Sequence, residues 1–220
     1  MAVKKKEKDK EKLTFIDKYK ILTEDGIDLD RRIIYLFGEL NEDLGTILRT
    51  KYAALKLFWQ EELEASFTDF TIDVNSYGGS IYSINAALDF YDEVYRLDKT
   101  LVNTKASGVC MSAATIILAG GTGTRTASKR TRFMFHDIQT GGVEGTATQV
   151  VQYAKDLSQE QKDFFGFYAQ IYFNKNKIEY NDDLYKKEVK KWQKRFTNKG
   201  VDHYLPVTEV LKLNLIDEII

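Results

Sequence analysis

What most constrains this chain is the alternation of two apolar periods along it. Phe70, Ile72 and Val74 alternate with Thr71 and Asp73, the period of a strand with one buried face. The turn sequence NSYGGS follows at 75–80, and then Ile81, Ile84, Leu88, Tyr91 and Tyr95 fall at helical spacing. The same order recurs: a strand at about 100–104, a glycine-containing turn at 107–112, and an Ala/Ile-rich helix at 113–119 stopped by Gly120 and Gly121. Residues 33–37 read as a buried strand ending at Gly38, residues 41–59 as a helix, and residues 132–136 as a strand. Val150, Ala154, Leu157, Phe164, Tyr168 and Ile171 predict a long helix over 146–173, roughly 40 Å at 1.5 Å per residue. Tyr185, Val189, Trp192 and Phe196 mark a further amphipathic helix, and a short strand, helix and strand close the chain. Residues 13–30 show no clear period. Strands alternating with helices define an α/β protein. Both glycine turns follow a strand and precede a helix, the edge where ligands bind in such folds.

Composition narrows the function classes. Of 220 residues, 43% are hydrophobic and 30% charged, as in globular proteins outside membranes, and the net charge of −1 gives no global pull toward nucleic acid. The charge is uneven. Residues 1–12 carry six Lys against three acids and read as disordered, while residues 174–199 carry nine Lys or Arg against four acids. Cys110 is the only cysteine, so no intrachain disulfide forms, and the basic start has no apolar stretch behind it as a secretory signal would. The longest apolar run, 113–119, is far too short to span a bilayer. A cytoplasmic protein fits best.

Two histidines, His136 and His203, are the available bases near neutral pH. The candidate nucleophiles are Ser112, Cys110, Ser76 and Ser80. Ser112 stands where a strand and turn meet a helix start, and the first N–H groups of that helix have no partner within it. Such donors stabilise a developing oxyanion. Cys110, inside the turn, reads as a small buried residue. The residues alone leave both readings open, because a serine before a helix also serves as an N-cap and a histidine at a strand end is often structural.

Five segments in order, from Arg31 to Ile220, resemble the proteolytic subunit of the Clp protease, a serine peptidase family. RRIIYLFGEL resembles the strand and turn that open that family's core, and VNSYGGSI its glycine-rich turn. SGVCMSAATIILAGG resembles the segment around its catalytic serine, which falls on Ser112, and RTRFMFHD the strand carrying its histidine, which falls on His136. VDHYLPVTEVLKLNLIDEII resembles the segment holding its aspartate, which falls on Asp202. The resemblance implies a Ser112–His136–Asp202 triad with an oxyanion hole from the N–H groups of Gly79 and Ala113. It also implies a fold of repeated strand-helix units, related to the crotonases, with 146–173 as a handle helix whose aromatics partly face another subunit. It further implies stacked heptameric rings, unfolded protein or peptide substrates, an ATP-driven unfoldase partner, and no metal or other cofactor. The peptidase domain is then 31–220, behind an N-terminal segment 1–30.

Several residues depart from the family pattern. Asp137 follows the histidine in HDIQTGG where the family has glutamine and then proline, and Tyr77 stands where proline is usual. Cys110 and Met111 replace smaller residues. Asp73 occupies the position of an aromatic that helps form the unfoldase docking pocket. The distance from His136 to Asp202 is longer than usual, the excess falling in the basic stretch 174–199. Three alternatives follow: a catalytically silent ring subunit, a dedicated processing peptidase such as a phage enzyme, and a crotonase-like acyl-coenzyme A enzyme.

Overall fold

A computed structural model describes residues 13–197 and 200–220 of the chain. The charged segment 1–12, read as disordered from its sequence, lies outside the described residues. The aperiodic stretch after it forms a short helix α1 (Phe15–Lys20) that runs into one π-helical turn, Ile21–Asp25, ended by Gly26 in the left-handed conformation. Thr14 and Asp17 close a reciprocal capping box at its start.

Eight strands form the sheet: β1 (Ile27–Asp28), β2 (Ile33–Leu40), β3 (Asp69–Gly79), β4 (Leu101–Met111), β5 (Arg125–Ala127), β6 (Arg132–Phe135), β7 (His203–Leu205) and β8 (Glu218–Ile219). The spatial order is β1-β2-β3-β4-β5-β8, with β6 also paired to β4 and β7 to β6. Pairing is parallel except for β1 with β2 and β6 with β7. Strand β4 changes partner along its length. Thr104–Ala106 lie beside β5, whereas Val109–Met111 lie beside β6. The end of β4 is thereby delivered next to the end of β6.

The helices are α2 (Leu44–Leu57), α3 (Tyr82–Asp98), α4 (Ala113–Ala119), α5 (Ala147–Lys175), α6 (Asp182–Phe196) and α7 (Val207–Lys212). The long helical stripe is therefore a single helix of 29 residues. Thr146 and Gln149 form the capping box that starts it. Every residue of α4 is buried, which fits a helix built only from Ala, Thr, Ile and Leu. Neighbouring helices pack in sequence order, α2 on α3, α3 on α4, α4 on α5 and α5 on α6.

One expectation is corrected. The glycine turns do not end their strands: β3 continues to Gly79 and β4 to Met111, with a register shift between Val74 and Ser76. Gly78 and Gly108 take positive φ, 101° and 79°, so the strands absorb the irregularity as a bulge rather than breaking. On α5 the aromatics expected partly to face another subunit divide, and Phe167 and Tyr172 are only half-buried. Phe164, Phe165 and Tyr168 lie in this chain's own core, because α6 covers them. Trp192 stacks on Tyr168 with ring centroids 5.0 Å apart, and Phe196 stacks on Phe135 at 4.7 Å. The exposed apolar side chains of α5 are instead Val150, Val151 and Tyr153, in its first half.

Candidate functional site

Ser112 follows β4 directly and precedes α4 in the N-cap position, but it caps nothing. Its φ and ψ are 52° and −129°, a conformation that costs a non-glycine residue on the order of 1–3 kcal/mol. The surroundings fix it there. Its N–H donates to the Met134 carbonyl of β6 at 2.9 Å, and its carbonyl accepts from the Thr115 hydroxyl at 2.6 Å. Thr115 also meets the Tyr168 hydroxyl of α5.

The register that pairs Met111 with Met134 brings the residue after β4 and the residue after β6 to the same edge. Ser112 Oγ and His136 Nε2 are consequently 2.7 Å apart. Of the two sequence readings of Ser112, the cap gives way to this pair. The site lies at the carboxyl ends of β3, β4 and β6, where the glycine turns pointed.

Burial lowers the His136 pKa from the ordinary 6.5, and the nearby carboxylates of Asp202 and Asp137 oppose that drop. A neutral imidazole near pH 7 is free to accept a hydroxyl proton. Asp202 is exposed, just before β7, and acts on His136 through space. It makes no hydrogen bond to it: Nδ1 of His136 is buried without a hydrogen-bond partner among the described residues. The structure thus joins Ser112 and His136 and leaves Asp202 beside them. Asp137 accepts from Gln161 of α5 at 2.9 Å. Burial pushes its carboxyl up, against the lowering pull of His136 and His203.

Gly79 lines the same cleft as Ser112, and Ala113 opens α4. Gly78 lies between them. A Cβ on Gly78 would stand 2.7 Å from the Ser112 Cβ and 3.2 Å from the Ala113 nitrogen. The glycine turn therefore presses its backbone against the serine and the first N–H of the helix. No side chain fits in that contact.

The other candidates are engaged by other partners. Cys110 is fully buried, and burial pushes its thiol pKa far up, which leaves it protonated and inert. Ser76 donates to the Gly38 carbonyl at 2.6 Å and accepts from the Gly78 N–H, so it shapes the bulge. Ser80 meets Glu42 at 3.2 Å. His203 packs edge-on against Phe196. Asp73 is buried, paired with Lys105 at 2.8 Å and hydrogen-bonded by Ser107, so a salt bridge stands where the family resemblance expects an aromatic.

Sequence reasoning missed Tyr82, Leu157 and Glu160, which line the cleft with Ser112 and His136. Its volume is about 510 Å³. Tyr82 donates to Glu160 at 2.8 Å across 78 residues of sequence. No local pattern announces a pair so far apart. Phe196 was also missed as a site support. It backs Phe135, the residue before His136.

These features define an α/β protein with a hydrogen-bonded serine–histidine pair in an open cleft at the strand ends. A family model described as Clp protease matches residues 27–220. The ATP-dependent Clp protease proteolytic subunit of Pleurastrum terricola is 31% identical over 163 residues, 74% of each chain. Proteolytic subunit 1 of Mycobacterium leprae is 31% identical over 144 residues, 65% of this chain and 66% of that protein. Proteolytic subunit 2 of Bacillus licheniformis is 37% identical over 130 residues, 59% and 63% of the two chains. The chain belongs to the Clp protease family. Among the described residues, no helix is long and apolar enough to cross a membrane.

Proposed function

We propose that this protein is a serine endopeptidase, the proteolytic subunit of a Clp-type assembly. The observation that carries the reading is the 2.7 Å contact between Ser112 Oγ and His136 Nε2 in an open cleft. In this mechanism Ser112 Oγ attacks the peptide carbonyl carbon while His136 Nε2 takes its proton. The tetrahedral oxyanion is held by the N–H groups of Gly79 and Ala113. Collapse breaks the C–N bond, and His136 passes the proton to the departing amine. Water then attacks the acyl-serine with His136 again as base, releasing the acid and restoring the serine. Asp202 is the group that would orient the imidazole, by closing onto Nδ1.

Several wider features belong to the same proposal. The relatives are named as ATP-dependent, which supports an unfoldase partner that supplies unfolded chains. Stacked heptameric rings, a cytoplasmic setting, and a peptidase domain from residue 31 with 174–199 as an added element complete it. The family match gives no support to an acyl-coenzyme A enzyme or to a dedicated processing peptidase.

A second reading has one observation in its favour. His136 Nδ1, which has no hydrogen-bond partner among the described residues, suits a ring subunit that keeps the fold without the chemistry. A fluorophosphonate probe separates the two. Labelling of the wild-type protein that is lost in Ser112→Ala, together with hydrolysis of a short peptide, supports the peptidase. Absence of both in the assembled protein supports the silent subunit.

A further inference from the structure

The cleft beside Ser112 has a one-sided charge. Its charged lining consists of Glu39, Asp137 and Glu160, and among the described residues no Lys or Arg lines it. A second, smaller recess of about 90 Å³ adjoins it. Ile81, Tyr82, Glu160 and Phe164 line both spaces, so the Tyr82–Glu160 hydrogen bond stands at the boundary between them. The recess continues with apolar walls, Ile84 and Phe167, and a second carboxylate, Asp163.

Apolar walls that end in carboxylates fit one kind of side chain: a long aliphatic stem with a cationic tip. A purely apolar side chain would fill the walls but leave Glu160 facing a desolvating neighbour, and an acidic one would meet like charge. Resting on the peptidase reading above, which fixes where the scissile bond must lie, we infer that the pocket next to Ser112 selects lysine or arginine on the acyl side of that bond. The stem lies along Ile81 and Phe164, and the cation pairs with Glu160 in place of, or beside, the Tyr82 hydroxyl. Asp163 and Asp137 add to the field that draws it in. Glu160 is then a specificity residue, and Tyr82 is the neighbour that holds its carboxylate in position.

The test is kcat/KM on three peptidyl-aminocoumarin substrates that differ only in the residue before the coumarin: Lys, Leu or Glu. The expected order is Lys first and Glu last, with Lys ahead of Leu by about tenfold or more, as a charge-assisted pair gives. In Glu160→Gln the Lys:Leu ratio falls by about the same factor. Asp163→Asn lowers it in the same direction and serves if the first variant folds poorly. The wild-type measurement alone is decisive. If Leu is cut as well as or better than Lys while Ser112→Ala is dead, the charge selection is wrong and the peptidase reading stands. If no substrate is cut and Ser112 takes no fluorophosphonate, the peptidase reading fails and the selection falls with it.

Discussion

Gly78 and Ser112 are in backbone-to-side-chain contact, so close that a methyl group on the glycine would lie 2.7 Å from the serine Cβ. The contact joins the end of β3 to the end of β4 and sets the depth at which the serine hydroxyl sits. Gly78→Ala should therefore hurt activity as well as stability. Its φ of 101° costs about 1–3 kcal/mol with a Cβ, whereas a displaced Ser112 costs on the order of a hundredfold in kcat/KM. Peptide hydrolysis measured beside thermal unfolding checks this. A variant that unfolds early yet retains full activity per folded molecule would contradict it.

Asp137 sits beside His136 where its charge favours the imidazolium. The acid limb of the activity profile reports protonation of His136, and that limb lies below the ordinary histidine value of 6.5 because burial dominates. Removing a carboxylate that raises the pKa must lower it further. Asp137→Asn should move the acid limb of kcat/KM to lower pH. A limb that moves upward or stays fixed means that Asp137 does not act on His136 through its charge.

Phe196 ties α6 to the histidine strand, stacked on Phe135 and on Trp192. Truncating a buried Phe typically costs about 3–5 kcal/mol, and here the cavity opens against Phe135, the residue before His136. Phe196→Ala should lower the unfolding midpoint and also reduce peptidase activity at temperatures where the protein is still folded. If α6 is only an added decoration, the second effect will be absent.

Arg125 is 3% exposed and shares Asp217 with Lys175. Burial works to raise the Asp217 pKa, but the hydrogen bonds from Arg125 and Lys175 outweigh it and hold the carboxyl well below its usual range. A depressed carboxyl stabilises the fold fully above its unfolded value near 3.8 and loses that contribution as pH falls through the lower folded value. Asp217→Ala strands a buried guanidinium, which costs about 3–5 kcal/mol in a closed site and nearer 2 here, since Asp217 is partly open to water. Urea unfolding at pH 7 should show that loss. The gap between variant and wild type should close below pH 3.8.

The alternation of strands and helices is legible in the sequence because it is local: the period of two along β3 and of 3.6 along α3 is printed in neighbouring residues. The pairing of Ser112 with His136 is legible by a different route, the order of segments shared with a family. What stays hidden depends on residues that are distant in sequence. β3 runs on to Gly79 because β4 offers Cys110 opposite Ser76 and β2 offers Glu39 and Leu40 opposite Gly78 and Gly79. That Tyr168 of α5 belongs to the core is seen only once Trp192, 24 residues on, is found stacked on it. Tyr82 and Glu160 each look like ordinary surface positions, and only the fold brings them to the cleft.

The first half of α5 has a mechanical meaning. From Phe164 onward the helix is clamped by α4 and α6, and before that point none of its residues is buried. That first stretch is a beam of some two dozen ångströms at 1.5 Å per residue, tied to the rest of the chain by hydrogen bonds between Tyr153 and Thr140, Glu160 and Tyr82, and Gln161 and Asp137. Tyr153, Leu157 and Glu160 ride on that beam and form one wall of the cleft. Those hydrogen bonds span the cleft, so the pose of this half of α5 and the width of the space beside Ser112 change together.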